Sequence, residues 1–265
     1  MSRRRLAAVV AHPDDDTFSC AGTVALHSND PDLHFVLIHV TSGERGEIAE
    51  GSGATPENLG EVREEEDRRS WVALGREPDR HEWLRVPDHA VADGDRDELV
   101  ERIATILREE RPDVVSTFGP DGITGHPDHV AVGEAATQAF HQVRGEGGPG
   151  LLRLLHQAIP QSMLDSWNEQ LIAAGKTPMD PTQAYQPRGV PDEQVGVRVD
   201  CTGVVMRKLA AVREHVTQQT DPDGPIGDEA DMVQALAFEI HVIAWPRSEP
   251  GAEVLTDVFE GLDNI

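Results

Sequence analysis

The sequence predicts an α/β fold with a mostly parallel central sheet. First, short apolar segments alternate with longer segments of helical spacing through residues 1–143, an order typical of right-handed βαβ units. Second, the segments at 6–11 and 114–118 are largely apolar, as buried parallel strands are. Third, each of these segments leads into a run rich in histidine and aspartate. Such runs would lie at the carboxyl ends of strands, where open α/β sheets bind ligands.

The elements of the first half follow from apolar content, helical spacing and turn residues. Leu33 to Val40 is apolar and β-branched, as strands are, and Leu99, Ile103 and Ile106 share one helical face. Pro127 suits the first turn of a helix, where its missing N–H costs nothing. We predict strands at 6–11, 33–40, 83–86 and 114–118, and helices at 17–28, 56–74, 97–110 and from 127 onward.

The glycine-rich segment 144–150 predicts a linker between two portions of the chain. After it we predict a strand at 151–159, a helix at 162–174, an irregular segment at 177–193, an edge strand at 195–199, and helices at 204–218 and 231–244. Pro and Gly at 221–228 predict a flexible loop, for which a lid over the substrate and a plain surface loop are both open. We expect a core at 1–143 and a C-terminal portion at 151–265 that completes the sheet and the substrate pocket within one continuous domain.

The composition restricts the class of partner. The chain has 265 residues, of which 38% are hydrophobic and 27% are charged, as in globular proteins. Its formal net charge of −25 repels nucleic acid and anionic membrane surfaces. We therefore expect a small-molecule substrate and neither a nucleic-acid nor a membrane partner. A high-salt habitat and a GC-rich genome would each explain the acidic composition.

The cysteines and the amino terminus predict a cytoplasmic protein. Cys20 and Cys201 are far apart and belong to no spaced motif, which is typical of buried thiols in a reducing compartment. The apolar run behind the basic residues 3–5 is too short for a signal peptide. No segment approaches the roughly 20 apolar residues of a membrane-spanning helix.

Two short motifs carry the candidate chemistry. His12-Pro13-Asp14-Asp15-Asp16 follows the first predicted strand, and His126-Pro127-Asp128-His129 follows the strand at 114–118. Asp14 or Asp15 alone could be an ordinary helix cap, and the second run alone could be a turn. Two such runs at two separate strand ends favour convergence on one metal ion.

Catalytic zinc takes three protein ligands and leaves one position open for water. The most economical assignment uses His12, Asp15 and His129 as ligands, which leaves Asp14 as the general base for a metal-activated water. His126 would then act as an acid or as a charge that stabilises the oxyanion. This set predicts metal-assisted hydrolysis of an acyl bond. The chain lacks the glycine-rich dinucleotide fingerprint, a phosphate-binding loop and a serine-hydrolase elbow.

Together, Ala11-His12-Pro13-Asp14-Asp15-Asp16 and Gly125-His126-Pro127-Asp128-His129-Val130 resemble the PIG-L/LmbE-like family of zinc-dependent N-acetylglucosaminyl deacetylases. The resemblance implies a Rossmann-like, LmbE-like fold with helices on both faces of the sheet. It also implies zinc on His12, Asp15 and His129, Asp14 as base, and His126 as an aid to the transition state. It agrees with the assignment made from the chemistry.

The resemblance extends to Thr41–Glu47, to a helix with Arg63 and Glu66, and to Lys208–Gln218. It implies that Arg63 and Asp88 bind substrate. For His215, a place at the pocket rim and a charge near the end of a helix are both open. The sequence departs from the family at Asp16, where relatives usually carry glutamate, and this change is expected to spare zinc binding while loosening support around the ligands.

The leading hypothesis is a zinc-dependent hydrolase that removes an acetyl group from an N-acetylglucosaminyl-type amino sugar or its conjugate. One alternative is an amidase acting on a larger thiol-conjugate amide, and another is a non-catalytic, zinc-stabilised binding protein. Fe²⁺ or another divalent ion could replace Zn²⁺ on these ligands. A homo-oligomer is compatible with the sequence, which identifies neither the substrate nor the oligomeric state.

Overall fold

The computed structural model describes residues 4–219, 229–249 and 251–262. Its strands, in chain order, are β1 Arg4–Val10, β2 Leu33–His39, β3 Arg80–Trp83, β4 Val114–Phe118, β5 Arg153–Gln157, β6 Ile159–Pro160, β7 Gly189–Val190, β8 Val197–Asp200 and β9 Phe238–Trp245. Its α-helices are α1 Asp15–Ser19, α2 Ala21–Leu26, α3 Leu59–Leu74, α4 Arg96–Glu110, α5 Gly122–Gly125, α6 Pro127–Gly145, α7 Gln161–Ala173, α8 Val205–Val212 and α9 Glu229–Leu236. The predicted loop at 221–228 lies outside the described residues.

The main sheet has the strand order β3-β2-β1-β4-β5-β9-β8. The pairs from β3 to β5 are parallel, while β9 runs antiparallel to both β5 and β8. This arrangement confirms the predicted α/β fold and its mostly parallel sheet. Strands from both predicted portions of the chain, before and after the glycine-rich segment, belong to this one sheet.

The strand order reverses direction between β1 and β4. Chain connections run from β1 outward to β2 and β3, then return across the sheet to β4 and continue to β5. Right-handed crossovers therefore place α2 and α3 on one face and α4 and α6 on the other. The gap above the carboxyl ends of β1 and β4 is the switch point at which such sheets bind ligands.

The core is formed by the central strands and the helix faces that cover them. Every residue from Leu6 to Ala11 is buried, and β4 is buried throughout. Helix α6 lies close against β4, since a Cβ on Gly133 would come within 2.5 Å of the Phe118 carbonyl oxygen. None of the helices in the described ranges has the length and apolar content needed to cross a bilayer.

Three predicted elements were wrong in kind or position. The helix expected at 204–218 ends at Val212 and is followed by a separate 3-10 turn at Val216–Gln218. The helix expected at 231–244 ends at Leu236, and β9 follows it as a central strand. Because residues 239, 240 and 241 are all buried, β9 lacks the alternation that marks a half-buried strand. Strand β3 begins at Arg80, three residues before the expected start. It is an edge strand whose residues are only half-buried, so apolar content does not mark where it begins.

The first predicted helix is divided at Cys20 into α1 and α2. The cause is a carboxylate from the other end of the chain. Glu239 on β9 accepts hydrogen bonds from the backbone N–H groups of Gly22 (2.6 Å) and Thr23 (2.8 Å). These are donors in the first turn of α2 that have no partner within the helix, so Glu239 starts a new helix there.

Lys208 on α8 neutralises this buried carboxylate. Its Nζ lies 2.7 Å from Glu239 Oε1, and both side chains are fully buried at 0% exposure. A buried pair contributes little compared with apolar packing, but the loss of one partner leaves an uncompensated charge in the interior.

We expect Lys208→Met to lower the free energy of unfolding by about 3–5 kcal/mol, the usual cost of a buried charge that loses its partner. Lys176→Met is the matched control, because Lys176 is the only other lysine and is exposed. Urea denaturation of the two variants and the wild type would measure the difference. Equal stability of the two variants would contradict this role for Lys208.

Candidate metal centre

The two histidine-aspartate motifs lie side by side because the strands before them are neighbours. Strands β1 and β4 pair in parallel, with Ala8 opposite Ser116. Helix α6 begins at Pro127, as predicted, and directs the second motif toward the first. The switch point of the sheet therefore holds His12 and Asp15 from one loop and His126 and His129 from the other.

Three of the predicted side chains form a small triangle of donor atoms. His12 Nδ1 lies 3.2 Å from His129 Nε2 and 3.4 Å from Asp15 Oδ2. His129 Nε2 lies 3.3 Å from Asp15 Oδ1. Asp15 is fixed in this position because Oδ2 also accepts the backbone N–H of His12, at 2.8 Å.

The other nitrogen of each ring lies beside oxygen atoms. His12 Nε2 faces carboxylates, with Asp88 Oδ1 at 3.1 Å and Asp128 Oδ2 at 3.6 Å, and His129 Nδ1 lies 3.1 Å from the Gly122 carbonyl oxygen. A neutral ring with its proton on that nitrogen would direct the lone pair of His12 Nδ1 or His129 Nε2 into the triangle. In that tautomer, two lone pairs and a carboxylate would point at one space.

The electrostatics of this space favour a cation. Burial lowers the pKa of His12, but Asp128, Asp15 and Asp88 together raise that pKa well above its usual range. Burial also opposes ionisation of Asp15, yet His129 and His12 hold the pKa of its carboxyl well below normal. Two imidazoles and a carboxylate are a common donor set for zinc and related divalent ions. The residues therefore fit such an ion.

Asp14 is beside this triangle in a strained backbone conformation. Its φ of 109° lies in a region that non-glycine residues rarely adopt, and such strain is found at functional sites. Burial raises the pKa of Asp14 to about 7, against the lowering effect of Arg63. Its carboxylate keeps 29% exposure and lies 3.3 Å from Arg63 Nη2.

Arg63, predicted to bind substrate, is 4% exposed. Its Nη2 donates to the Pro13 carbonyl oxygen at 2.6 Å, and its Nη1 donates to the Gly43 carbonyl oxygen at 3.0 Å. Gly43 allows this approach, since a Cβ there would collide with the guanidinium. Arg63 on α3 thus ties the first motif to the loop after β2.

His126 lies at the mouth of the centre. Its Nδ1 accepts the backbone N–H of Asp128 at 3.1 Å, so the proton of the neutral ring is on Nε2. Burial, together with His12 and His129, lowers the pKa of His126 to about 4. The ring of Tyr185 lies against it with a centroid separation of 4.9 Å. His126 also brings a nitrogen within 4.8 Å of those of His12 and His129.

Asp88, also predicted to bind substrate, is 1% exposed and is held from several sides. Its Oδ2 accepts the backbone N–H of Arg45 at 2.9 Å, and its Oδ1 faces both the His89 backbone N–H and the His12 ring. The side chain that the sequence analysis left without a role is Asp128. It accepts the backbone N–H groups of His89 (2.7 Å) and Val91 (3.2 Å). The sequence feature that could have indicated a role for Asp128 is its position one residue before His129.

His215 packs against α1. It is 3% exposed, and its Nε2 lies 3.1 Å from Thr17 Oγ1. Burial lowers its pKa to about 4, which favours the neutral ring at pH 7. Beside it, Glu66 on α3 accepts the Thr217 backbone N–H at 2.9 Å and its hydroxyl at 2.6 Å.

Several known proteins are similar to this chain in sequence or in structure. A protein of Kineococcus radiotolerans, named 1D-myo-inositol 2-acetamido-2-deoxy-alpha-D-glucopyranoside deacetylase, is 32% identical over 253 residues, with 82% of this chain and 69% of the relative covered. The second deacetylase of that name from Saccharopolyspora erythraea is 30% identical, with 96% of this chain and 99% of the relative covered. Among solved structures, the conserved protein TT1542 from Thermus thermophilus matches with a TM-score of 0.61 and 25% identity, over 94% of this chain and 99% of that chain.

The family match covers both motifs and the strands that carry them. Residues 7–140, about half of the chain, match the family described as PIG-L: GlcNAc-PI de-N-acetylase. The similarity to whole deacetylases extends well beyond that segment. The family resemblance recognised in the sequence is thereby confirmed, and the chain belongs to the PIG-L family.

Proposed function

We propose that this protein is a metal-dependent hydrolase that removes the acetyl group from an N-acetylglucosaminyl conjugate. The observation that carries the proposal is the triangle of His12 Nδ1, His129 Nε2 and an Asp15 carboxylate, beside the half-buried carboxylate of Asp14. Relatives named as deacetylases of a glucosaminyl inositol support the acyl group and the sugar.

The ligands of the ion would be His12, Asp15 and His129. Adjacent ligands of a tetrahedral zinc ion lie about 3.3–3.4 Å apart when the bonds are about 2.0–2.1 Å long, and the three separations are 3.2, 3.3 and 3.4 Å. A bound ion would polarise the acyl oxygen and lower the pKa of water toward about 7. Zn²⁺ is the ion we propose, and the donor set also suits Fe²⁺.

Asp14 would take the proton of the attacking water. Its pKa of about 7 is close to the value that suits a general base at neutral pH. Arg63 would position this carboxylate, because it bonds to both Asp14 and the Pro13 carbonyl. As the tetrahedral intermediate collapses, Asp14 would return the proton to the departing amine nitrogen, which leaves as the free amine of the sugar.

His126 would stabilise the oxyanion as a neutral hydrogen-bond donor. Its Nδ1 is occupied by the Asp128 backbone N–H, so Nε2–H is the group that remains to donate. His126 would not act as a permanent positive charge, because its pKa is lowered to about 4 and the ring is therefore neutral at pH 7. Preorganised donors of this kind are worth about 10²–10³ in rate.

The test is acetate release from N-acetylglucosamine, N,N′-diacetylchitobiose and a glucosaminyl inositol, with protein stripped of metal and reloaded with zinc. We expect zinc-dependent acetate from at least one sugar. Asp14→Asn should retain the metal and lose about 10²–10⁴ in kcat, the usual worth of general acid-base catalysis. Absence of acetate from every sugar, with the metal bound, would refute the deacetylase proposal and favour an amidase that acts on larger amides.

His129→Ala should abolish stoichiometric zinc binding at the triangle, because two ligands hold the ion far less well than three. His141→Ala is the matched control, since His141 lies on the same helix, is exposed, and is outside the centre. Metal content after dialysis measures both. An unchanged zinc content in His129→Ala would remove His129 from the ligand set.

The variant Asp88→Asn distinguishes two roles for Asp88, which are orientation of the ligand His12 and contact with the substrate. Because the carboxylate faces His12 Nε2, we expect metal affinity to fall about 10–100-fold, the usual effect of losing a carboxylate that orients a histidine ligand. Competition with a fluorescent chelator would measure the affinity. If the affinity is unchanged and KM rises, Asp88 contacts the substrate, as the family resemblance implied.

A further inference from the structure

Close to the candidate metal centre lies a group of side chains, two buried and one half-buried, that the proposed mechanism does not use. His39 at the end of β2, Asp67 on α3 and His81 on β3 bring one ligand atom each within 4.8 Å of one another. Asp16, from the first turn of α1, borders them. We call His39, Asp67 and His81 the buried His–Asp cluster.

The separations within this cluster resemble those of co-ligands. His39 Nδ1 lies 3.0 Å from His81 Nε2, and His81 Nε2 lies 3.5 Å from Asp67 Oδ2. The distance of 3.5 Å is longer than a good hydrogen bond and is close to the roughly 3.3 Å between ligands that share one tetrahedral ion. Asp67 Oδ1 lies 3.6 Å from His39 Nε2, the other nitrogen of that ring, so this contact does not join two ligand atoms of one ion.

The polar atoms of the cluster lack the partners that burial demands. Asp67 is fully buried, yet neither of its carboxylate oxygens has a hydrogen-bond partner, and Oδ2 of fully buried Asp16 also has none. A buried carboxylate without hydrogen bonds is costly, and native structures normally satisfy such groups or pair them with a cation.

Side-chain cations do not supply the missing charge. In the parts of the chain that the structure describes, no arginine or lysine makes an ion pair with Asp16 or Asp67, and the ion-pair contacts of these two residues are to His39 and His81 alone. Arg63, the nearest candidate, uses its guanidinium on Gly43, Pro13 and Asp14. Two carboxylates thus share a closed space with two imidazoles.

We propose that the buried His–Asp cluster is a second metal site, which holds a first-row divalent transition ion through His39, His81 and Asp67. Imidazole ligands favour zinc, iron or nickel over magnesium and calcium. Asp16 would orient His39, because its Oδ1 lies 3.3 Å from His39 Nε2 and so accepts the proton there. That arrangement leaves His39 Nδ1 as the ligand atom.

The site would be structural, since His39 and Asp67 are fully buried and only the edge-strand residue His81 is partly exposed. It would fasten β2, β3 and α3 to each other beside the first motif, and Asp16 would connect this support to Asp15, its neighbour in the chain. The proposal shares no ligand with the triangle of His12, Asp15 and His129, so it stands or fails separately from the proposed function.

In the alternative to a metal site, protons rather than an ion neutralise the charge of the cluster. Burial next to Asp16 raises the pKa of the Asp67 carboxyl well above its usual range, so a proton shared between the two carboxyls would remove one negative charge. A hydrogen bond between His39 and His81 would then complete the network. This arrangement binds no metal, and the two are therefore distinguished by counting ions.

The test is metal content of the full-length protein after reloading with zinc and gel filtration, measured together with a Co²⁺ titration followed by visible absorption. We expect two ions per chain. Asp67→Asn and His81→Gln should each reduce the count to one, His129→Ala should also reduce it to one, and the double variant with Asp67→Asn and His129→Ala should bind none. His241→Gln is the matched control, because His241 is a buried strand histidine outside the cluster, and it should still bind two.

A wild-type count of one ion, lost in His129→Ala and unaffected by His81→Gln, would overturn the proposal and support the shared proton. Circular dichroism of each variant checks that the fold is intact. If Asp67→Asn fails to fold, the wild-type count and His81→Gln, at the edge of the sheet, still decide the question.

Discussion

The arrangement at the switch point depends on one electrostatic constraint, which is the convergence of two imidazole nitrogens and a carboxylate on a single space. His12 Nδ1 and His129 Nε2 lie 3.2 Å apart, and the other nitrogen of each ring lies beside an oxygen that can accept its proton. With the protons there, both lone pairs would face the same space. The positions of Asp88, Asp128 and the Gly122 carbonyl therefore determine whether the centre can accept a cation.

Much of the surrounding structure holds these oxygens and their neighbours in place. The loops after β2 and β3 supply backbone N–H groups to Asp88 and Asp128, so neither carboxylate can turn away from His12. Arg63 bridges the first motif to the loop after β2 and keeps the half-buried carboxylate of Asp14 at the edge of the centre. These fixed positions suit the proposed hydrolysis of an amide, which requires the base, the donor and the acyl carbon to be aligned.

The sequence was informative where one segment determines its own structure. The motifs His12–Asp16 and His126–His129 could be placed at strand ends because apolar strands precede them, and Pro127 marked the start of α6. The elements that depend on distant partners could not be predicted. The break at Cys20 results from Glu239, more than 200 residues away, and β9 escaped recognition because it is buried among other strands. The same reason hid the burial of Asp88 and the grouping of His39, Asp67 and His81, since no spacing in the chain links three separate elements.

The cap that Glu239 places on α2 has a consequence for the order of events on the ribosome. Helix α2 begins five residues after Asp16, yet the carboxylate that starts it belongs to a strand near the end of the chain. The same strand, β9, inserts between β5 and β8 to complete the sheet. During synthesis, the residues of the first motif emerge before β9, so the cap on α2 forms only after β9 has left the exit tunnel.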